Sequence, residues 1–397
     1  MKFAHITDCH LGGWRQPELQ ILNTQHFRQA VETCIEEQVE FILFTGDLFD
    51  SAFPPIETLK ETFEDFRKIK DAGIKSYLIA GSHDYSVSGK TFLDVLEKAG
   101  FCEICKYEET DEQVVLKPST YKSTHIYGYP GKKAGLEISS LKKLKIEEPY
   151  ENNFRILMLH TTIKEVTENL PIESIRLDEL PKADYYALGH IHIDFEHKHN
   201  DKPVIYGGPT FPNNFKEIEE LRAGCFYIIE VNGFTKVTKK EIKLKEILSF
   251  KIEIDDALIA TQKILKELEK KQDELKDKIV LLKVHGTLKK GKPSDINYQK
   301  IQDFLEKKQI YSFLKNTSKL ETAKTEDIQL DLQSKDVEKV EEIIIKKYET
   351  ENPSDFNHLI LQLMDALDME KQEAETNITF EKRLLGELNK TLGIELD

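Results

Sequence analysis

Five times between Phe3 and His192 a short apolar run stops abruptly on a loop carrying Asp, His or Gly. Phe3 to Thr7 ends on Asp8-x-His10, and Val39 to Thr45 ends on Gly46-Asp47. Ser76 to Ala80 ends on Gly81-Ser82-His83-Asp84, Ile156 to Leu159 on His160, and Tyr185 to Leu188 on Gly189-His190-Ile191-His192. Between the first three runs lie helical patterns, with apolar faces at Leu22, Phe27, Ala30, Val31, Cys34 and Ile35, at Leu59, Phe63, Phe66 and Ile69, and at Phe92, Leu93, Leu96 and Ala99. Strands that are apolar at every position must be covered on both faces, and helices between them supply cover. The chain therefore reads as a layered α/β sandwich.

A second, smaller pattern begins where the spacing turns lysine-rich, between Lys236 and Lys251. A helix over 255–273, a strand over 279–284, a helix near 296–305 and a strand near 311–314 describe a compact α/β unit. From Ser334 the strand signal disappears. There, Phe356, Leu359, Ile360, Leu363 and Leu367 share one helical face, behind Asn352-Pro353 as a breaker and Ser354 as an N-cap. The division expected is 1–245, 246–330 and 331–397. An apolar stripe on a short helix needs a surface to cover it.

Composition narrows the class. The apolar content of 39% suits a buried core, and with the mean hydropathy of -0.47 it describes a polar but foldable chain. No run reaches the roughly 18 apolar residues of a membrane span, and the start MKFAHITDCH has no secretion-signal pattern, so a cytoplasmic location is expected. Five scattered cysteines do not make a disulfide framework, and Cys102-x-x-Cys105 has no second pair or nearby His to complete a zinc site, so these two are read as small buried residues of a strand. A net charge of -15 opposes polyanion binding through bulk electrostatics, but bound cations or a local basic face override the global sign.

The chemistry lies in the five loops. Ligands bind at the carboxyl ends of strands in α/β sheets, so loops distant in sequence can meet there. Carboxylates and imidazoles without thiolates suit a hard or borderline divalent ion such as Mn²⁺, Fe²⁺ or Zn²⁺. Asp8, Asp47, His10, His160, His190, His192 and a further polar site at Ser82 exceed what one ion needs, so two ions are expected. Two ions bridged by one carboxylate polarise a phosphodiester, which makes phosphoester hydrolysis the reaction class. His83 is placed to donate a proton to the departing oxygen, with Asp84 orienting its ring. Each segment alone is ordinary turn chemistry; five in order, each at a strand end, are not. His5 reads as a core histidine, and His26, His125, His197, His199, His285 and His358 as structural or surface residues.

The order D-x-H, G-D, G-N-H-D, H, G-H-x-H resembles that of calcineurin-like metallophosphoesterases. MKFAHITDCHLG, FILFTGDLFDSAFPP, LIAGSHD, LMLH and DYYALGHIH are similar to the SbcD nuclease family, whose members pair with an SMC-like ABC-type ATPase of the SbcC type in DNA double-strand-break repair. The similarity covers about residues 1–230. It implies a two-sheet β-sandwich flanked by helices, a capping domain over 246–330 that shapes DNA access, and C-terminal helices that bind the ATPase. It places Asp8, His10, Asp47 and His192 on one ion and His160, His190 and the residue at position 82 on the other, with Asp47 shared and Asp50 in support. It also implies Mn²⁺, single- and double-stranded DNA ends as substrate for exonuclease and endonuclease cleavage, a nucleoid-associated location, and a homodimer formed through helices of the first domain.

Two departures from the family stand out. Ser82 replaces an Asn, and a hydroxyl is a shorter and poorer oxygen donor than a carboxamide. Gly208-Pro209 replaces Gly-Ser, removing a hydroxyl and an N–H. Two rival readings follow: a dimeric scaffold weakened at the second ion by Ser82, or a phosphodiesterase for small substrates. Lys289, Lys290 and Lys292, and the cluster Lys236, Lys239, Lys240, Lys243 and Lys245, are candidates for contact with the DNA backbone, or equally a solvated face.

Overall fold

The computed structural model describes residues 1–86, 91–147, 153–167, 172–322, 357–367, 369 and 377–392. The apolar runs form two stacked sheets. In the first, β1 (Lys2–Ile6), β2 (Phe41–Thr45), β3 (Lys75–Ile79) and β4 (Glu103–Ile104) are parallel. Strands β14 (Gly224–Asn232) and β15 (Phe234–Ile242) add antiparallel beyond β1, giving the order β15-β14-β1-β2-β3-β4. In the second, β8 (Thr124–Tyr129), β10 (Phe154–His160), β11 (Tyr185–Gly189) and β13 (Lys202–Gly207) are parallel. Antiparallel edges β7 (Ser119–Tyr121) and β12 (Asp194–His199) complete the order β12-β13-β11-β10-β8-β7. A small side sheet joins β5 (Tyr107–Glu109), β6 (Val114–Leu116) and β9 (Leu144–Ile146).

Strand β2 shows why its sequence, FILFT, is apolar almost throughout. Phe41 and Leu43 point between the sheets, where Phe3, Tyr77, Ile126, Ile156, Met158 and Tyr185 meet them, and the Phe3 and Phe41 rings stack at 4.9 Å. Ile42 and Phe44 point the other way, onto α1 (Pro17–Glu36), α2 (Ile56–Asp71) and α3 (Phe92–Lys98), through Phe27, Val31, Phe66, Ile69 and Leu96. Each such side chain contributes about 1.5–3 kcal/mol on leaving water. The outer face of the second sheet is closed by α4 (Glu137–Leu141), the turn of α5 (Lys164–Thr167) and the side sheet, around Leu157, Leu159, Tyr186 and Leu188. Each large sheet thus has helices or loops on one face and the other sheet on its second face.

The smaller unit is a parallel three-stranded sheet, β16 (Ile247–Glu253), β17 (Ile279–Leu288) and β18 (Ser312–Thr322). Helices α7 (Ala257–Glu269) and α8 (Tyr298–Lys307) cover one face. Each has a side-chain cap: Asp256 accepts from the Leu258 N–H at 2.9 Å, and Asn297 from the Lys300 N–H at 2.9 Å. Its other face seats Ile279, Leu281 and Leu314 on Trp14, Leu19, Leu22, Phe211 and Ile218, the last from α6 (Phe215–Leu221). This shared apolar seam makes Met1–Thr322 one compact unit, so no break in packing falls at the expected 245/246 boundary.

The second compact unit is Ala323–Asp397, and its described helices are α9 (Ile360–Leu367) and α10 (Asn377–Leu392). Leu359, Ile360 and Leu363 of the expected stripe are half-buried and Leu367 is exposed, while Phe356, Ser354 and Asn352-Pro353 lie outside the described residues. No described helix is long and apolar enough to cross a membrane.

One stretch differs from the sequence reading. The lysine-rich segment taken as a boundary is built from β15, β16 and the turn between them, with Lys236, Lys239 and Lys240 on β15 and Lys243 and Lys245 in the turn. Lys236 pairs with Glu230 at 3.5 Å, Lys239 with Asp194, Lys240 with Glu37, Lys243 with Glu246 at 3.8 Å and Lys245 with Asp277 at 2.6 Å. These five lysines are therefore paired with carboxylates, two of them local and three brought from distant elements.

Candidate metal centre

The carboxyl ends of β1, β2, β3, β10 and β11 lie side by side at one end of the sandwich. His160, the last residue of β10, turns its Nδ1 to the carbonyl of Thr45 at the end of β2, 2.9 Å away. The Gly189 carbonyl, closing β11, accepts from the Thr161 N–H, and the His190 N–H that follows reaches the Asp8 carboxylate after β1 at 3.0 Å. The five distant loops therefore meet in one pocket, with Asp8, His10, Asp47 and His160 each no more than 2% exposed.

Three sets of ligand-type atoms form there among the described residues: His10, Asp50 and His83 make one at the mouth, and two hold the residues expected to bind ions. Asp8, His10 and His192 make one, and Asp47, His160 and His190 the other. Asp47 stands between them, with Oδ2 3.1 Å from His160 Nε2 and 3.6 Å from His10 Nε2. His10 Nε2 lies 2.9 Å from His192 Nε2, which is 3.8 Å from Asp8 Oδ1. Ligands about 2.1 Å from a common ion sit roughly 3.0–3.4 Å apart for octahedral or tetrahedral angles. The observed separations bracket that range. Ser82 is at the second set, its Oγ 3.4 Å from Asp47 Oδ2, while the His83 N–H donates to Asp47 Oδ1 at 2.8 Å.

The backbone is bent to achieve this. Asp8, His10 and Asp47 adopt φ of 50°, 43° and 50°, and His190 adopts 99°, all in the left-handed region that side chains avoid. Such strain costs on the order of 1–3 kcal/mol per residue and persists only where the surroundings impose it. Four of the expected ligands carry it.

Three imidazoles have their Nδ1 atoms occupied. His10 Nδ1 meets Asp50 Oδ1 at 3.0 Å, His160 Nδ1 the Thr45 carbonyl at 2.9 Å, and His192 Nδ1 Glu217 Oε1 at 3.0 Å. Donating N–H from Nδ1 leaves each Nε2 lone pair aimed inward, the arrangement of a metal-ligating histidine. His160 Nε2 is buried and makes no hydrogen bond although Asp47 Oδ2 is 3.1 Å away. A lone pair facing a carboxylate requires a positive charge between them, so this donor set fits divalent ions.

Titration behaviour agrees. Burial opposes the charge on His160, but Asp47 overrides it and raises the imidazole to about 10; burial likewise opposes the Asp47 charge, yet His160 and His10 hold that carboxyl far below its usual range. His192 is raised to about 8, burial being outweighed by Glu217. His190 is lowered, by burial and then by the neighbouring His160. Without metal, a proton on His160 supplies the missing cation, and metal must displace it.

His83 is exposed at the mouth, edge-on to His10 at 4.7 Å, with Nδ1 2.9 Å from the Asp50 carbonyl oxygen and 3.6 Å from its carboxylate. Asp84 does not orient it. That side chain is 1% exposed and turns inward, accepting from the Leu48, Phe49 and Gly81 N–H groups at 3.1, 3.0 and 3.0 Å, so it ties the β3 loop to the β2 loop instead. Sequence adjacency could not reveal this, because consecutive residues on a turn point apart. His5 is buried and bonded to Tyr185 and Thr45. Lys289, Lys290 and Lys292 are exposed on the loop after β17.

The supporting residues Glu217 and Asn213 were not visible in the sequence. Glu217 stands three residues after the α6 cap Asn214, which accepts from its N–H at 3.0 Å, so it reads as an ordinary capping residue.

Comparison with known proteins adds the following. Residues 1–194 match the calcineurin-like phosphoesterase family. The chain is 28% identical over 311 residues to the DNA double-strand break repair protein Mre11 of Methanocaldococcus jannaschii, covering 71% of this chain and 82% of that protein. It is 37% identical over 202 residues to the Mre11 of Sulfurisphaera tokodaii, 48% of this chain and 49% of that protein. It is 24% identical over 326 residues to that of Sulfolobus acidocaldarius, 78% of this chain and 82% of that protein. The chain thus spans about half the length of some of these relatives and four-fifths of others.

Proposed function

Residues 1–194 match the calcineurin-like phosphoesterase family, and on that premise we propose that this chain is a metal-dependent DNA nuclease that trims DNA ends, as exonuclease and endonuclease, in double-strand-break repair. The observation that carries the reading is the pair of neighbouring ligand sets with Asp47 Oδ2 between them, 3.1 Å from His160 Nε2 and 3.6 Å from His10 Nε2. The relatives named for DNA double-strand break repair supply the substrate class.

In this reading Asp8, His10 and His192 hold one divalent ion, His160, His190 and Ser82 the other, and Asp47 both, with Mn²⁺ as the working ion. Such a pair supplies Lewis-acid polarisation of the phosphodiester and activation of water. The chain's own residues do the rest. Asp50, Glu217 and the Thr45 carbonyl fix the three imidazoles in the tautomer that leaves Nε2 free. His83, exposed and held through Nδ1 by Asp50, donates a hydrogen bond or proton to the leaving oxygen. Asp84 keeps the Asp47 and His83 loops in register.

The unit over 246–322 caps access, with Lys289, Lys290 and Lys292 as backbone contacts. Exposed apolar residues Phe53, Ile56 and Val95, on and around α2 and α3, support a homodimer through this face. Helices α9 and α10 are the proposed contact for an SMC-like ATPase.

The test is hydrolysis of bis-p-nitrophenyl phosphate and of end-labelled duplex DNA with Mn²⁺. Asp47→Ala should lower kcat/KM by at least about 1,000-fold, since several kcal/mol of charge stabilisation leave with the ions. Turnover that survives chelation would refute the metal role. Cleavage of the small ester without cleavage of DNA would replace the nuclease by a small-substrate phosphodiesterase.

A further inference from the structure

Two of the imidazoles assigned to the first ion are held from behind by carboxylates on different elements. Asp50, in the loop after β2, meets His10 Nδ1 at 3.0 Å, and Glu217, on α6, meets His192 Nδ1 at 3.0 Å. Between them sits Asn213. Its backbone N–H donates to Glu217 Oε2 at 2.8 Å, and its side-chain Nδ2 donates to Asp50 Oδ1 at 3.4 Å. One residue therefore joins the two supporting carboxylates, which would otherwise repel each other across the loop.

The orientation of the amide is forced. Turned over, its oxygen would face the Asp50 carboxylate; as placed, Oδ1 is buried with no partner. It packs under the backbone at Gly13, where an added Cβ would come within 2.7 Å of Asn213 Oδ1 and 2.9 Å of the Asp50 carboxyl. An unpaired buried carbonyl is unfavourable and persists only where another requirement outweighs it.

We propose that Asn213 and Glu217 are positioning residues that clamp the His10 and His192 imidazoles as one unit, and so set the affinity of the first ion without affecting the second. The inference rests on the two-ion reading above. The second ion's ligands are supported independently: His160 by the Thr45 carbonyl, and Asp47 by the His83 N–H. Loss of the clamp should act on one binding step only, because neither clamp residue touches the second set. Outer-shell partners of this kind shift metal affinity by about 10- to 100-fold.

The experiment is calorimetric titration of the full chain with Mn²⁺, with electron paramagnetic resonance reporting the spin-coupled pair. Asn213→Ala and Glu217→Ala should each weaken one binding step by about 10- to 100-fold and leave the other in place, with the coupled signal replaced by that of an isolated ion. Glu217→Gln should fall between these and the parent, because its amide oxygen still accepts from His192 Nδ1 while its NH₂ group opposes the Asn213 N–H. Thermal melts identify any variant that does not fold, and Glu217→Gln then carries the comparison. Two unchanged steps, or equal weakening of both in a folded variant, overturns the clamp and leaves the centre standing. Failure of the parent chain to bind Mn²⁺ overturns the centre and the clamp together.

Discussion

Gly81→Ala is the smallest change expected to disable the centre. A Cβ on Gly81 would fall 2.1 Å from Asp47 Oδ1 and 2.2 Å from the Asp47 backbone nitrogen. Ordinary contact begins near 3.4 Å, so one loop must retreat by about 1.3 Å, and because the Asp47 backbone nitrogen is nearly as close as its carboxylate, rotating the side chain alone does not relieve the contact. Overpacking of this size costs about 1–3 kcal/mol of stability. The displaced carboxylate stands between the two ligand sets and accepts from the His83 N–H, so a shift of about 1 Å should lower kcat/KM by about 100-fold or more. Gly73→Ala is the matched control: nothing lies within 4 Å of its added Cβ, but its φ of 75° charges the left-handed penalty of about 1 kcal/mol. Urea unfolding and Mn²⁺ calorimetry on both variants separate the effects. Comparable stability losses with Mn²⁺ binding impaired only in Gly81→Ala are expected. Two Mn²⁺ bound by Gly81→Ala with parental affinity would refute the argument that backbone contact at Gly81 positions Asp47.

Three further outcomes are expected. Buried His5 and His26 are lowered to about 3 and about 4, mainly by burial, so each stays neutral when folded but titrates near 6.5 when unfolded; their stability is fully present above pH 6.5 and is lost as pH falls below it, at about 1.4 kcal/mol per pH unit each, and urea midpoints from pH 7.5 to 5 should fall less steeply in His26→Gln. Ser82→Asn, extending an oxygen donor toward the second set, should tighten one Mn²⁺ binding step by about 10-fold and raise hydrolysis at limiting metal; no change would show that Ser82 is not a weak ligand. Lys289→Gln, Lys290→Gln and Lys292→Gln should each reduce the salt dependence of DNA binding by about one unit of slope, whereas Lys240→Gln, whose ammonium is paired with Glu37, should leave it unaltered.

The candidate site was largely legible in sequence because its ligands sit where strands stop. A strand end is a local event, visible in FILFTGD and YYALGHIH as an apolar run meeting a turn, and parallel strands in α/β folds present those ends together. What escaped was everything perpendicular to the chain. Asp84 follows His83 but turns away from it, into the Leu48, Phe49 and Gly81 amides. Strands β15 and β16 escaped because the lysines over 236–251 interrupt the apolar runs by which the other strands were found.

From the sequence alone came the layered α/β class, the identity of seven ligand candidates and the expectation of two ions, all of which follow from hydrophobic periodicity and side-chain chemistry within short stretches. Tertiary structure decided what those residues do to one another. Only the folded chain turns His160 Nε2 toward Asp47, pairs the lysines of β15 with Asp194 and Glu37, and seats α6 so that Glu217 and Asn213 stand behind His192 and His10. Direction and distance between groups far apart in sequence depend on the packing of whole layers, and no local pattern encodes them.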